Sequence, residues 1–84
     1  MAKWNFVESV EKAGYSSKNC FIQRSEQGLI FGYRMQRGLY ELTRVFHVEQ
    51  ALRFVSADLY ISLFLDKMSK DLEAEMAKVE SEVK

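Results

Sequence analysis

Hydrophobic residues change their spacing twice along this chain, and each change marks an element boundary. Phe6, Val10 and Ala13 share one helical face, the three-and-four spacing of an amphipathic helix. Asn5 stands before them as an N-cap, with Glu8 three residues on as its reciprocal partner. Gly14 ends the helix at C′, and Tyr15–Lys18 reads as a polar connection.

From Asn19 the spacing switches to alternation. Three strands are predicted, Asn19–Glu26, Leu29–Gln36 and Leu39–Phe46, divided by Gln27-Gly28 and Arg37-Gly38. Each divider is short enough for a two-residue hairpin turn. Those turns set Met35 against Tyr40, Tyr33 against Leu42, Phe31 against Arg44 and Arg34 against Glu41. On the other side they set Cys20 against Met35, Ile22 against Tyr33 and Arg24 against Phe31. Both hairpins turn the same face inward: Leu29, Phe31, Tyr33 and Met35, flanked by Cys20, Ile22, Tyr40, Leu42 and Phe46. Agreement between two independent turns supports an antiparallel meander.

Helical spacing returns at His47, an N-cap with Gln50 at N3, and no proline or glycine interrupts it to the C-terminus. Two apolar stripes run through this segment. One is Val48, Leu52, Val55, Leu59 and Leu63; the other is Phe54, Ala57, Ile61, Leu65, Met68, Leu72, Met76, Val79 and Val83. A single helix over 48–83 would be roughly 50 Å long, while a seven-residue strand covers only about 23 Å. The expectation is therefore that the first stripe lies on the sheet and that residues 66–84 project beyond it. The second stripe, Ile61, Leu65, Met68, Leu72, Met76 and Val79, would be left as a seam between copies of the chain. Its eleven-residue repeat (Ile61, Leu72, Val83) favours a nearly straight helix pair over a heptad coiled coil. On this reading Glu at Leu65 and Leu72 turns the oligomer into a destabilised monomer. The predicted fold class is α+β, in the order α-β-β-β-α, one domain over 1–84.

Composition supports association without adding chemistry. An 84-residue chain is near the lower limit for a self-sufficient core. Cys20 is the only cysteine and His47 the only histidine, so neither an internal disulfide nor a metal site with familiar ligand spacing is expected. The formal charge is zero, which speaks against a dominant nucleic-acid or acidic-membrane partner. MAKWNFVESVEKAG lacks the apolar core of a signal peptide, and LYISLFL is far shorter than the ~20 residues of a membrane span. With a lone thiol, that points to the cytoplasm.

Candidate chemistry is sparse. Nucleophilic or acid–base catalysis needs a base beside a second reactive group, and neither His47 nor Cys20 has an evident partner. The helix start accounts for His47, and an inward strand position for Cys20. Asp58 aligns with Ser62, Asp66, Ser69 and Glu73 on a stripe expected to be solvated. The predicted register brings Arg24, Phe31 and Arg44 together, an arrangement able to bind an anion or a partner carboxylate, or simply two arginines packing their stems on the core. Phe21, Ile30, Leu39 and Val45 form a semi-apolar patch on the outer face, more like a protein contact than a base-stacking platform. No catalytic residue, cofactor or metal is assigned.

No segment carries a family signature. The compact, proline-free format resembles small accessory proteins of phages and mobile elements, a likeness that transfers no residues. The function expected is a non-enzymatic protein-binding, assembly or inhibitory protein acting as a homo-oligomer, with a dimer favoured. The alternative is a nucleic-acid-binding dimer using Arg24, Arg34, Arg37 and Arg44.

Overall fold

The chain is described by a computed structural model covering residues 4–83, with side chains to Val79. Helix α1 (Phe6–Lys12) and a 3-10 turn (Ser17–Asn19) precede the strands β1 (Cys20–Ser25), β2 (Gly28–Arg37) and β3 (Tyr40–His47); α2 (Val48–Leu52) and α3 (Ala57–Val83) follow. The strands form an antiparallel sheet in the order β1-β2-β3. This is the α+β meander with a short first and a long last helix that the spacing predicts.

The first helix forms as its sequence dictates. The Asn5 side chain accepts from the Glu8 backbone N–H at 3.2 Å, and Gly14 takes φ +90° beyond Ala13. Phe6 and Val10 are buried and Ala13 packs against the core.

Both hairpins turn one residue away from the predicted positions. β1 turns through Glu26-Gln27, so that Ser25 faces Gly28, and β2 turns through Gly38-Leu39, so that Arg37 faces Tyr40. Ser25 stabilises the first turn, its hydroxyl accepting from Gln27 N–H and donating to the Gly28 carbonyl. Gly38, at φ +61°, takes the first position of the second turn, where a two-residue hairpin needs a positive φ. Each pairing slips by two residues, which preserves the inward face and changes every partner. Met35 faces Leu42, Tyr33 faces Cys20 and Arg44, and Phe31 faces Ile22 and Phe46. Arg34 faces Thr43 but still reaches Glu41 diagonally at 3.2 Å. Phe31, Tyr33, Met35 and Phe46 are buried as expected, while Ile22 and Leu29, near the open β1 edge, stay exposed.

The largest departure lies after β3. The predicted single helix is two: α2 ends at Leu52, and α3 starts behind Ser56, whose hydroxyl accepts from Leu59 N–H. Ala51 and Ile61 are both fully buried. In one unbroken helix they would sit about 80° apart around the axis. The break at Arg53–Ser56 allows both to face the core.

The two stripes are also exchanged. Ile61, Leu65 and Met68 are 0% exposed and Leu72 2%; Met76 packs against the same core and Val79 is half-buried. The seam assigned to a partner chain is instead this protein's own core for Ile61 through Met76. Val83, which completes the eleven-residue repeat, has its side chain outside the described residues, as Lys84 lies outside them altogether. Conversely, Leu52 is 57%, Val55 95%, Leu59 46% and Leu63 51% exposed; Val48 alone of the first stripe packs on the core. The two stripes lie on nearly opposite faces, so only one can be covered, and the longer removes more apolar surface from water.

Projection from residue 66 does not occur because α1 widens the platform beneath α3. Trp4 Nε1 donates to the Ser9 hydroxyl at 2.6 Å, and that hydroxyl donates to Asp58 on α3. Tyr15 donates to Asp66 at 3.0 Å. At the far end Arg37 bonds Ser69 at 2.7 Å and Glu73 at 2.6 Å. Asp66 and Glu73 face solvent as expected and Asp58 and Ser69 are half-buried, and all four also tie one flank of α3 down. Residues 66–76 thus belong to the packed body.

Candidate functional site

The predicted Arg24–Phe31–Arg44 constellation is dispersed by the two-residue slip. Phe31 is buried, its ring 4.8 Å from Phe6 and 5.3 Å from Trp4. Arg24 faces Leu29 at the open end of the first hairpin. Arg44 lies beside Tyr33 and pairs with Asp71 at 2.7 Å. No anion site is formed by these three residues together.

The polar groups that do converge tie helices to each other. Ser9 is buried, accepts from Trp4 and donates to Asp58, while Lys12 reaches the other Asp58 oxygen at 3.4 Å. The Ser9 hydrogen bond holds the Asp58 carboxyl below the usual range; partial desolvation opposes this and Lys12 adds to it. A serine acting as a nucleophile needs a base to take its proton and access to substrate; this hydroxyl is spent on a carboxylate under Trp4. Burial pushes the Cys20 thiol up, with Glu11 adding to the shift, which disfavours the reactive thiolate. His47 is exposed at the start of α2, where its backbone N–H donates to Gln50. Among the described residues no group of three or more His, Cys, Asp or Glu side chains is placed to hold a metal ion.

On the uncovered face of the sheet, Phe21, Gly32 and Val45 form one cross-strand row. The Phe21 ring lies on Gly32, where a Cβ would overlap it. The missing side chain lets an outer-face aromatic lie flat and half-bury itself. Of the predicted outer patch, Phe21 and Ile30 are half-buried, whereas Val45 and Leu39 are exposed, Leu39 on the tip of the second turn. The patch is broken by Gln23, Arg34 and Thr43, which line the same region.

The apolar surface most out of place is the α2–α3 corner. Leu59 and Leu63 are one helical turn apart on the face of α3 opposite Ile61 and Leu65, and Leu52 at the end of α2 and Val55 in the bend before α3 are exposed as well. Phe54, 5.6 Å from Tyr60, is partly exposed beside them. Scattered exposed apolar residues are ordinary, whereas a run of this kind is characteristic of an interaction surface. A single helix over 48–83 would lay these residues on the sheet; the break between α2 and α3 and the burial of Ile61 and Leu65 leave them outside. Ser56 followed by Asp58 (a capping residue with an acid in the first turn) is the signal that could have located the break.

No helix among the described residues is long and apolar enough to cross a membrane. Comparison with protein-family models, curated proteins and solved structures finds no match to this chain.

Proposed function

We propose that the protein is a non-enzymatic binding module that docks another protein on the outward face of the α2–α3 corner, as an adaptor, assembly factor or small inhibitor. The observation that carries this reading is the exposure of Leu52, Val55, Leu59 and Leu63 in a domain whose other apolar stripe is buried from Ile61 through Leu72. Residues spaced at i and i+4 on a helix are the anchors of helix-in-groove recognition, so the partner offers an apolar groove. Glu49, Arg53, Asp66 and Lys67 lie near these anchors in the sequence and supply a polar rim of mixed sign, the usual surround of such a core. A reducing cytoplasm suits the free Cys20 thiol and is the setting in which the partner is sought.

The test is capture from the native source with full-length wild type and with Leu59→Glu/Leu63→Glu. A partner held by wild type and lost by a variant of unchanged urea midpoint supports the reading. Equal capture by both proteins overturns it.

The nucleic-acid alternative has less behind it. Arg34, Arg37 and Arg44 are paired with Glu41, Glu73 and Asp71, and Phe31 and Tyr33 are buried rather than available for stacking. Retardation of DNA or RNA that collapses steeply with added salt would favour it.

A further inference from the structure

β3 is an edge strand. Its eight residues pair with β2 without a bulge, so its other side carries a regular row of unpaired backbone N–H and C=O groups. α3 runs beside this edge in the opposite direction: Phe64 lies 4.8 Å from Phe46, and Asp71 pairs with Arg44. Between strand and helix lies a groove of about 640 Å³ lined by Tyr40 and Leu42 on one side and Ala74, Glu75 and Lys78 on the other. An extended backbone is the protein element that pairs with such an edge.

We propose that the occupant is a second copy of this chain, whose β3 adds antiparallel to the first and makes one six-stranded sheet. A two-fold axis normal to the sheet keeps both helical layers on one side and pairs residues of the same face. Centred on Leu42, it sets Tyr40 against Arg44 of the second copy and Glu41 against Thr43. Centring on Glu41 or Arg44 would oppose like charges, which destabilises a strand pair.

The helical layer selects the same centre. Asp71 pairs with Arg44, and Tyr40, Leu42, Ala74, Glu75 and Lys78 line one groove; because α3 runs antiparallel to β3, Leu42 falls near Ala74–Glu75, about four helical residues on from Asp71. Antiparallel α3 helices meeting there bring Lys78 of each copy to Asp71 of the other. Centring on Thr43 would slide Asp71 against Glu75. Ala74, exposed in the single chain, puts the smallest side chain at the closest approach. At this register the strands oppose no like charges and the helices pair Lys78 with Asp71. This inference does not rest on the docking reading for Leu59 and Leu63, which occupy a different stretch of α3.

Sedimentation velocity on the full chain at tens of micromolar tests it. Wild type sediments as a dimer. Ala74→Arg, which places two long cations on the axis, and Lys78→Glu, which sets an acid against Asp71, each weaken the dimer by about tenfold or more while the circular dichroism stays the same. Leu59→Glu/Leu63→Glu leaves the dimer intact. A monomeric wild type overturns the proposal, as does a dimer that survives Ala74→Arg and Lys78→Glu.

Discussion

Leu65→Ala and Leu63→Ala differ by two positions and should differ several-fold in cost. Leu65 is fully buried among Ile61, Met68 and the aromatic residues of the sheet. Truncation there loses the transfer free energy of the removed carbons and leaves a cavity, together about 3–4 kcal/mol for a site of this kind. Leu63 is half exposed; its truncation forfeits less burial, and the higher helix propensity of alanine offsets part of that, leaving under about 1 kcal/mol. A domain of this length has a total stability of roughly 4–13 kcal/mol. Leu65→Ala therefore removes a quarter or more of it. With a urea dependence of about 1 kcal/mol/M, the midpoint falls by about 3–4 M for Leu65→Ala and under about 1 M for Leu63→Ala. Leu65→Glu with Leu72→Glu is expected to abolish folding rather than release a folded monomer. The reasoning fails if Leu63→Ala costs as much as Leu65→Ala, or if Leu65→Ala disperses an oligomer at unchanged stability.

Other outcomes follow from the same contacts. Ser9→Ala leaves Trp4 Nε1 without its acceptor and Asp58 with Lys12 alone as a side-chain donor, at a cost of about 1–3 kcal/mol, read by urea denaturation. Because the folded pKa of Asp58 is lowered, its contribution is fully present above the unfolded carboxylate value, near pH 4, and is lost as pH falls through the folded value. Wild type should lose more stability than Asp58→Asn across that acid window, and parallel pH profiles would count against the tie. Ser56→Ala removes the cap that starts α3 and should cost about 1 kcal/mol in the same assay, with loss of the helical break's definition in amide exchange at Leu59. Phe21→Ala should move the Gly32 α-proton resonances downfield by removing the ring that lies on them; unchanged shifts would place the ring elsewhere.

The fold was largely legible because its signals are local. Asn5 with Glu8, the glycines near each turn and the alternation of Phe31, Tyr33 and Met35 each fix an element without reference to the rest of the chain. A two-residue slip escaped detection because it leaves the inward face unchanged: the turn chemistry of Gln27-Gly28 and Glu26-Gln27 differs too little to choose between them. The slips of both hairpins together dissolve the Arg24–Phe31–Arg44 arrangement, the first moving Arg24 to Leu29 and the second moving Arg44 to Tyr33. The exchange of the helical stripes is a tertiary effect. Leu59 and Leu65 look alike in sequence, and which is buried depends on where the helix breaks and on how far α1 extends the platform beneath it. Ser9–Asp58, Tyr15–Asp66 and Arg37–Glu73 span 49, 51 and 36 residues; no spacing rule reaches that far.

The assignment of the two faces of α3 underlies the core, the docking surface and the register of the proposed dimer. Methyl NMR with a soluble paramagnetic agent reads it directly. The account predicts that the Leu59 and Leu63 methyls broaden strongly while those of Ile61, Leu65 and Leu72 are protected. Protection of Leu59 and Leu63 with broadening of Leu65 and Leu72 would contradict it.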